Sequence, residues 1–380
     1  MPMQTLFIIA GFFIAVLLSI IVLPNILFVS YKKHLFDEPD ARKVHTAPVP
    51  RLGGLSFMPV IMFSVCAILG VAVGVYGRDI LVPGALREIL LLFAGLVLLY
   101  LTGEIDDLVG MGYRYKFIVQ IVAATMIVLS GSWIHSFAGL FWIYDVPSWL
   151  GISVTIFVVI FLTNAINLID GIDGLASGLT IISLITICIL LVLQGSFMHI
   201  LLAAVILGVV IPFWFYNVFG NAQRGKKLFM GDTGSLTLGY LLSFFVIYLG
   251  NGADNAVDSK PMIIALSSLI VPMFDVVRVA LHRIRKGRNP FLPDRNHIHH
   301  KLIRAGMKKT RFVLLTILAI DIFFIAFNTL LIDHLNVTYV IILDVIIWVA
   351  MQFIINHYIK KNHGGPSFVP LDQLPEGKGE

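Results

Sequence analysis

The chain has 380 residues, of which 58% are hydrophobic and 13% are charged, and its formal net charge is +5. Soluble globular domains are about 45–50% apolar and about 25% charged, so this composition excludes a soluble globular fold and predicts a polytopic membrane protein. Cys66 and Cys188 lie inside apolar runs, where they fit as small buried hydrophobes rather than as a disulfide. The positive charge fits cytoplasmic loops rich in Lys and Arg, and we predict no nucleic-acid partner.

Apolar runs long enough to span a bilayer follow one another along the chain. A hydrocarbon core of about 30 Å needs about 20 helical residues. We therefore predict an all-α polytopic integral membrane protein with about eleven transmembrane helices, near residues 3–30, 55–76, 87–104, 117–134, 149–167, 175–195, 199–219, 235–250, 261–281, 312–332 and 338–358. The first run lacks a basic start and a small-residue cleavage site, so we interpret it as a retained helix.

The distribution of Lys and Arg predicts the orientation of these spans. With the N-terminus outside and the C-terminus cytoplasmic, the inner segments hold 23 of the 27 Lys and Arg, whereas the outer segments hold only Arg78, Arg87 and Lys260. Cytoplasmic loops of membrane proteins carry such an excess. The same alternation brings five polar clusters to the cytoplasmic face. We predict one membrane domain over 1–361, with a site that faces the cytoplasm, and a disordered cytoplasmic tail over 362–380.

The first inner cluster that suggests chemistry is an acid pair at the end of the third predicted span. Asp106 and Asp107 are adjacent and follow Glu104, and Arg114 and Lys116 come shortly after them. Adjacent carboxylates repel each other unless a cation or a proton lies between them. The pair is therefore either the solvated acidic end of a helix or a site that handles a metal ion or a phosphate.

The inner segment after the fifth predicted span carries two amides and two carboxylates at intervals of three residues. They are Asn164, Asn167, Asp170 and Asp173. On helical backbone this spacing places the four side chains on one face. Polar groups in this number are costly at a membrane boundary without a ligand or a cation. We therefore favour a binding site over a solvated helix end.

A glycine-rich turn over 229–235 follows the third inner basic stretch. Asp232 lies between Gly231 and Gly234, and a turn of this kind aims backbone amides at an anion. Asp232 would then be a ligand of Mg²⁺, which takes one or two carboxylates together with phosphate oxygens. The alternative is that Asp232 or Thr233 only caps a helix.

Three histidines within four residues lie in the most basic inner loop: His297, His299 and His300. Three interpretations are open, namely a transition-metal site, part of a solvated basic loop, or a contact to an anionic substrate. No cysteine accompanies the histidines and their surroundings are cationic. We therefore favour contact with a phosphorylated or sugar ligand over a transition metal.

Five motifs, taken together and in chain order, resemble one family. They occupy 40–54, 106–107, 164–174, 229–235 and 293–300. They resemble the bacterial polyprenyl-phosphate N-acetylhexosamine-1-phosphate transferases, the relatives of phospho-N-acetylmuramoyl-pentapeptide transferase. The His-Ile-His-His form is similar to the N-acetylglucosamine branch. Many relatives have a third acid three residues after the acid pair, and here that position is Gly110.

The resemblance implies a reaction that the composition does not show. A UDP-linked N-acetylhexosamine, most simply N-acetylglucosamine, transfers its sugar-1-phosphate to undecaprenyl phosphate in the bacterial inner membrane. UMP is released, and a lipid-linked glycan of the cell envelope is started, such as an O-antigen of lipopolysaccharide or a cell-wall polysaccharide. The resemblance also implies Mg²⁺ as the cofactor, with Mn²⁺ as a substitute. The resemblance is also compatible with a homodimer.

The family motifs also imply roles for individual residues. Asp106 and Asp107 would orient or deprotonate the lipid phosphate, and Asp232 with Asn167 would hold Mg²⁺. Asp173 and Phe229 would face the uracil. The full set of implied substrate contacts is Lys43, His45, Asn164, Asp170, Asp173, Asn217, Phe229, Arg295, His297, His299 and His300.

Two alternatives compete with this interpretation. The muramoyl-pentapeptide transferase of the same family differs in its histidine motif. A proton- or cation-coupled transporter is supported by ionisable residues inside spans, namely Asp321, Asp344 and the pair Asp275 and Arg278, although that pair fits a structural ion pair equally well. Transporters place their sites near the bilayer midplane, commonly between repeats, whereas this chain has no detectable repeat and its polar clusters lie at one face.

Overall fold

The computed structural model describes residues 2–36, 49–77, 80, 82–251, 260–289 and 296–362. The contacts predicted for Lys43, His45 and Arg295, and the tail beyond Asn362, lie outside these ranges. The helices α1 to α13 are Pro2–Lys32, Phe57–Tyr76, Pro83–Val109, Tyr113–Leu129, Ser148–Ile169, Leu175–Gln194, Phe197–Phe219, Gly231–Leu249, Lys260–Ser267, Ile270–Arg285, Ile298–Arg304, Thr310–Leu331 and Val337–Asn362.

The helices confirm an all-α polytopic membrane protein. Within the described ranges, nine helices are long and apolar enough to cross a membrane, and ten spans result if the bent pair α9–α10 is counted as one. The predicted number of about eleven also counts α4, whose 17 residues reach about 26 Å at about 1.5 Å per residue, the lower end of the length that crosses a bilayer. Large apolar side chains such as Phe13 and Leu17 of α1 are exposed, as expected of a surface that faces lipid.

The ninth predicted span is broken into α9 and α10, which meet at an angle of 68°. The serines at the break supply the hydrogen bonds that a continuous helix would have made: Ser268 Oγ donates to the carbonyl of Ala265 at 2.7 Å, and Ser183 Oγ of α6 donates to the carbonyl of Ser268 at 2.8 Å. Pro272 lies in the first turn of α10, where its missing N–H has no intrahelical partner to lose. The predicted span over 261–281 therefore corresponds to the bent pair α9–α10.

A small β-hairpin occupies the segment between α4 and α5, where no strand was predicted. Strand β1 (Ser136–Leu140) pairs antiparallel with β2 (Ile143–Asp145). The connecting residues Phe141 and Trp142 both have positive φ, 51° and 61°, as a two-residue hairpin turn requires. Neither residue is Gly or Asn, so the usual sequence signal for such a turn is missing.

Helix α8 lies at the centre of the bundle and packs against α3, α5 and α6. Small residues allow this close packing. A Cβ added at Gly239 of α8 would lie 2.7 Å from the Cα of Thr163 in α5. On the α3 side, a Cβ added at Gly95 would lie 2.1 Å from the hydroxyl of Tyr240, which donates to the carbonyl of Ala123 at 3.0 Å. These contacts hold the middle of α8 closely against α3, α4 and α5.

Candidate active site

The N-terminal end of α8 is capped by a carboxylate from another helix. Asp107, near the end of α3, accepts hydrogen bonds from the backbone N–H groups of Asp232 and Thr233 at 2.8 and 2.9 Å and from the Thr233 hydroxyl at 2.7 Å. The first N–H groups of a helix have no partner within the helix, so this carboxylate satisfies them. The turn over 229–235 therefore does begin a helix, and Asp107 supplies the cap considered for Asp232 or Thr233.

Two glycines make this approach of α3 to α8 possible. Gly231 has φ of +72°, and a Cβ at this residue would lie 2.2 Å from the Arg51 carbonyl oxygen and 2.5 Å from Asp107 Oδ2. A Cβ at Gly103 of α3 would lie 2.4 Å from the Cα of Thr233. The two glycines therefore let the backbone of α3 and the start of α8 approach closely. This approach places Asp107 beside the first N–H groups of α8.

Lys116 of α4 bridges Asp106 and Asp232. Its ammonium donates to Asp106 Oδ2 and, at 2.6 Å, to Asp232 Oδ2. The other oxygen of Asp106 accepts from the backbone N–H of Met111 at 2.6 Å. Asp106 and Asp232 remain 14% and 28% exposed, so a ligand can reach both from solvent. The two adjacent acids of α3 thus differ: Asp107 supports α8, whereas Asp106 faces the accessible side of the cluster.

The end of α5 adds an amide to the same cluster. Asn167 Nδ2 donates to the hydroxyl of Ser235 at 2.8 Å, and the Asn167 side chain also hydrogen-bonds Asp232. Ser235 in turn donates to the Gly231 carbonyl at 3.0 Å. Residues of α3, α4, α5 and α8 that are far apart in sequence therefore meet around Asp232.

Asp170 follows α5 and carries the excess negative charge of this region. Burial raises the pKa of Asp170 to about 7, and three neighbouring carboxylates act in the same direction, whereas Arg51 opposes them. The three carboxylates belong to Asp232, Asp173 and Asp107. The described site thus holds more acid than its bases compensate, and a bound cation would relieve the repulsion.

A second group of contacts joins the loop after α5 to the segment before α8. Lys227, which is buried, forms an ion pair with Asp173 at 2.5 Å, and its ammonium lies 5.9 Å from the centre of the Phe229 ring. Asn217, also buried, accepts from the backbone N–H of Gly174 at 2.5 Å and donates to the carbonyl of Leu228 at 2.8 Å. The predicted residues Asp173, Asn217 and Phe229 are therefore brought together.

The segment over 49–54 pairs with the backbone that leads into α8. The N–H groups of Gly53 and Gly54 donate to the carbonyls of Phe229 and Met230 at 3.0 and 2.9 Å, and the N–H of Phe229 donates to the carbonyl of Pro50 at 2.9 Å. This pairing brings Arg51 to the carboxylates. It also places the end of the 40–54 motif, whose Lys43 and His45 are not described, beside the site.

The histidine motif is connected to the loop after α5 through His299. The His299 ring is buried, and a Cβ added at Gly171 would lie 2.3 Å from its Nε2. Burial, and then the neighbouring charges of His300 and His297, lower the pKa of His299 to about 3. His299 is therefore a neutral imidazole. Its two nitrogens have no hydrogen-bond partner among the described residues, which leaves them to a ligand.

His297 is held from the other side by α10. Its Nδ1 lies 2.8 Å from Asp275 Oδ2, and Asp275 Oδ1 accepts from Arg278 Nη2 at 2.7 Å and from the N–H of Ile298 at 3.0 Å. Arg278 also donates to the carbonyl of Asn296. Asp275 and Arg278 thus form an ion pair that positions the start of α11.

Asn164 lies away from these contacts. Its amide donates to Gln120 of α4 at 2.7 Å and to the carbonyl of Ile160 at 2.8 Å, contacts that join two helices. Lys116 and Lys227, on the other hand, belong to the site but were not among the predicted site residues. The signal for both was weak, because a lysine in a basic inner loop is ordinarily a solvated side chain.

The residues fit a Mg²⁺ site better than a transition-metal site. Within the described ranges, no group of three or more His, Cys, Asp or Glu has the arrangement of a metal site. Mg²⁺ needs few protein ligands, since it keeps waters and takes substrate phosphate oxygens. Asp232 and Asn167 supply a carboxylate and an amide side by side, next to the uncompensated charge of Asp170.

The fold and the site define a polytopic membrane protein with an acidic, solvent-accessible centre at one end of its helices. Residues 89–250 match glycosyl transferase family 4. A probable undecaprenyl-phosphate N-acetylglucosaminyl 1-phosphate transferase of Bacillus subtilis is 32% identical over 320 residues, which make up 84% of each chain. The undecaprenyl-phosphate alpha-N-acetylglucosaminyl 1-phosphate transferases of Yersinia pestis and Escherichia coli K12 are 31% identical over 77% of this chain and 76% and 75% of theirs. The chain belongs to glycosyl transferase family 4, which confirms the resemblance.

The alternative of a transporter is not favoured. That alternative depended on three acids inside the spans. Asp275 pairs with Arg278, and Asp344 accepts a hydrogen bond from Asn328 at 2.9 Å, so both have structural partners. Asn328 also donates to Ser267 at 2.8 Å, so this group joins α9, α12 and α13. The third acid, Asp321, is buried and interacts with the backbone N–H of Val271 in the first turn of α10.

Proposed function

We propose that this chain transfers N-acetylglucosamine-1-phosphate from UDP-N-acetylglucosamine to undecaprenyl phosphate and releases UMP. The relatives named for transfer to undecaprenyl phosphate support the substrate class. The observation that carries the proposal is the cluster at the start of α8, where Asp106, Asp232 and Lys116 lie at one end of membrane-spanning helices. A lipid phosphate anchored in the membrane and a soluble anionic donor can both reach such a position.

The reaction exchanges one phosphorus–oxygen bond for another. An oxygen of the lipid phosphate attacks the β-phosphorus of the donor, and the bond from that phosphorus to the oxygen shared with the α-phosphate breaks, so that UMP leaves with this oxygen. The barrier is lowered mostly by positioning and by neutralising negative charge. Lys116 would hold the phosphate groups, and Asp106 would orient the lipid phosphate or accept its remaining proton. Asp107 would act by keeping α8 in place.

We further propose Mg²⁺ as the cofactor, held by Asp232 and Asn167. When bound, Mg²⁺ neutralises negative charge on the diphosphate. Asp170, whose pKa is raised to about 7 by burial and by nearby carboxylates, would then be stabilised as a carboxylate. Lys227 would remain with Asp173 and Phe229 at the uracil, and His299, beside Gly171, would contact the sugar or diphosphate.

A transfer assay tests this proposal. Protein in detergent with labelled UDP-N-acetylglucosamine, undecaprenyl phosphate and Mg²⁺ should yield lipid-extractable label and one UMP for each sugar transferred. The muramoyl-pentapeptide donor serves as the second arm. Transfer from that donor and none from UDP-N-acetylglucosamine would contradict the proposal and support the other branch of the family.

We also propose that the site faces the cytoplasm of the bacterial inner membrane, on the strength of the 23 inner Lys and Arg. In a background without Cys66 and Cys188, an impermeant thiol reagent should label Gln223→Cys only in permeabilised cells. Gln223 is exposed next to the site, and the exposed Tyr144 of the hairpin serves as the opposite control. Labelling of Gln223→Cys in intact cells together with protection of Tyr144→Cys would reverse the orientation.

A further inference from the structure

A second polar site lies outside the carboxylate cluster, in a cavity of about 670 Å³ between α10, α11 and α13. Sites that enclose a small molecule have volumes of about 300–1,000 Å³, so this cavity is large enough for a ligand. Helix α10 packs against α5, the helix that ends at the carboxylate cluster. Neither the carboxylates nor Lys116 and Lys227 line the cavity, so it is separate from the candidate active site.

The polar part of the cavity is basic. Five basic side chains line it, namely Arg278, His282, Arg285, Lys301 and Arg304, whereas no Asp or Glu of the described residues does. Burial, and then the positive charges of Arg278 and Arg304, lower the pKa of Lys301 to about 8. Such a concentration of cations attracts an anion.

Buried donors in the cavity have no acceptor. The unpaired atoms are Arg278 Nε, Trp348 Nε1 and Gln352 Nε2, each of which lacks a hydrogen-bond partner among the described residues. All three residues line the cavity. Gln352 directs its oxygen to the Lys301 ammonium at 2.5 Å, which turns its amide nitrogen away from that lysine. Unsatisfied donors without unsatisfied acceptors favour a ligand rich in oxygen acceptors, such as a phosphate.

The rest of the cavity is apolar and borders the lipid-facing surface. Val277 and Leu281 of α10 are 44% and 48% exposed, and Phe353 of α13 is 71% exposed. All three line the cavity. The site therefore combines a basic end at the inner ends of α10 and α11 with an apolar slot along two membrane helices. This is the shape and polarity of a membrane lipid rather than of a soluble anion.

We propose that this cavity binds an anionic phospholipid of the adjacent leaflet, with its phosphate among Arg278, Lys301 and Gln352 and an acyl chain along α10 and α13. The occupant is a bulk phospholipid rather than the polyprenyl phosphate acceptor, because the described lining contains no carboxylate and none of the residues that would act on an acceptor. Basic pockets between transmembrane helices on the cytoplasmic side bind such headgroups. The bound lipid would stabilise the Asp275, Arg278 and His297 contacts that hold α11.

Native mass spectrometry of the full chain tests the proposal without any substrate. Delipidated protein is mixed with phosphatidylglycerol or with phosphatidylcholine in detergent. We expect one phosphatidylglycerol to survive activation that removes phosphatidylcholine. Lys301→Met should weaken phosphatidylglycerol retention about tenfold, because a buried charge-assisted contact is lost.

Arg285→Met and Lys308→Met complete the test. Arg285 lines the cavity but is exposed, so its replacement spares the fold and should weaken retention about threefold, as expected of a solvent-screened charge. Lys308 is an exposed lysine shortly after α11 that does not line the cavity, and Lys308→Met should bind like the wild type.

Four outcomes would overturn the proposal. Equal retention by wild type and both cavity variants would place the lipid elsewhere, and equal retention of the two lipids would indicate an apolar groove only. Displacement by stoichiometric undecaprenyl phosphate would identify the acceptor as the occupant. Retention only after deletion of 363–380, which contains Asp372 and Glu376, would assign the cavity to the acidic end of the chain itself. None of these outcomes depends on transfer activity.

Discussion

The start of α8 and the cavity beside α10 are polar sites of opposite charge. Around Asp232 the carboxylates outnumber the ammonium groups that pair with them, and burial together with this excess charge raises the pKa of Asp170. The cavity has five basic side chains and no acidic one among the described residues. The difference shows which ligands each site can accept. We therefore expect the acidic site to take a diphosphate only together with a cation and the basic site to hold a phosphate directly.

The histidine motif lies between these two sites. His297 is bound through Asp275 to Arg278, which lines the basic cavity, and His299 packs on Gly171, next to the acidic Asp170. We therefore expect measurable effects from changes to the acidic centre, to the contact of His299, to the cap of α8 and to the charge of His299.

The largest effect is expected for Asp232→Asn. Loss of the negative charge should weaken Mg²⁺ binding and lower the transfer rate by about 100–1,000-fold, the usual effect of removing one electrostatic stabiliser. The fold should remain intact in detergent, because the carboxylate does not cap α8. Asp333→Asn is the control, since Asp333 is an exposed acid paired only at the surface with Lys260. More than a tenth of the wild-type rate at saturating Mg²⁺ would exclude Asp232 as an essential ligand.

The next effect is expected where the histidine motif meets the acidic loop. In Gly171→Ala, the new methyl group would lie 2.3 Å from His299 Nε2, so the ring must move. We expect the transfer rate to fall by about tenfold, as a displacement of about 1 Å can cost up to a hundredfold. Gly74→Ala is the matched control because nothing lies within 4 Å of its added Cβ. If the two variants transfer sugar equally fast, His299 does not contact the donor.

The sequence predicted most of the fold but not its irregular parts. All eleven apolar segments correspond to a helix or to the bent pair, because hydrophobicity over about 20 residues is a local property. The break between α9 and α10 depends on Ser183, more than eighty residues earlier in the chain, whose hydrogen bond satisfies the carbonyl of Ser268. The hairpin turn uses Phe141 and Trp142 in a conformation that their side chains do not signal.

The candidate site shows the same limit. Residue types and spacing pointed to Asp106, Asp107 and Asp232, which meet in the structure. The distinct tasks of the two adjacent acids were not readable, since they follow from the side of α3 that faces α8. Lys116 and Lys227 became recognisable only once the fold placed each beside a carboxylate.

The two adjacent acids allow a stability test of smaller magnitude. Asp107→Asn keeps one acceptor oxygen but turns an amide donor toward donors of α8, and we expect it to lower the free energy of unfolding by about 1–2 kcal/mol, as lost helix caps do. Asp106→Asn should change it less, because Asp106 accepts only one backbone N–H, that of Met111. Thermal unfolding in detergent at equal protein concentration measures both variants. Equal unfolding temperatures for the two variants would remove the special role of Asp107.

The smallest effect concerns the charge of His299. Its pKa is lowered from the ordinary 6.5 to about 3 by burial and by His300 and His297, so between these values the unfolded chain binds a proton that the folded chain does not. The stability that neutral His299 contributes is therefore fully present above pH 6.5 and is lost as the pH falls toward 3. Between about pH 7 and about pH 5 this loss amounts to about 1–2 kcal/mol.

The measurement is the difference in unfolding temperature between these two pH values for wild type and for His299→Gln, which cannot titrate. The wild type should lose more stability on acidification, because only it carries the proton uptake of the unfolded state at this position. His357→Gln is the control, since His357 is an exposed histidine on α13. Identical acid sensitivity of wild type and His299→Gln would mean that His299 accepts a proton in the folded protein. The proposal that a neutral His299 contacts the donor would then be wrong. A charged His299 would extend the positive charge of the cavity beside α10 as far as Gly171.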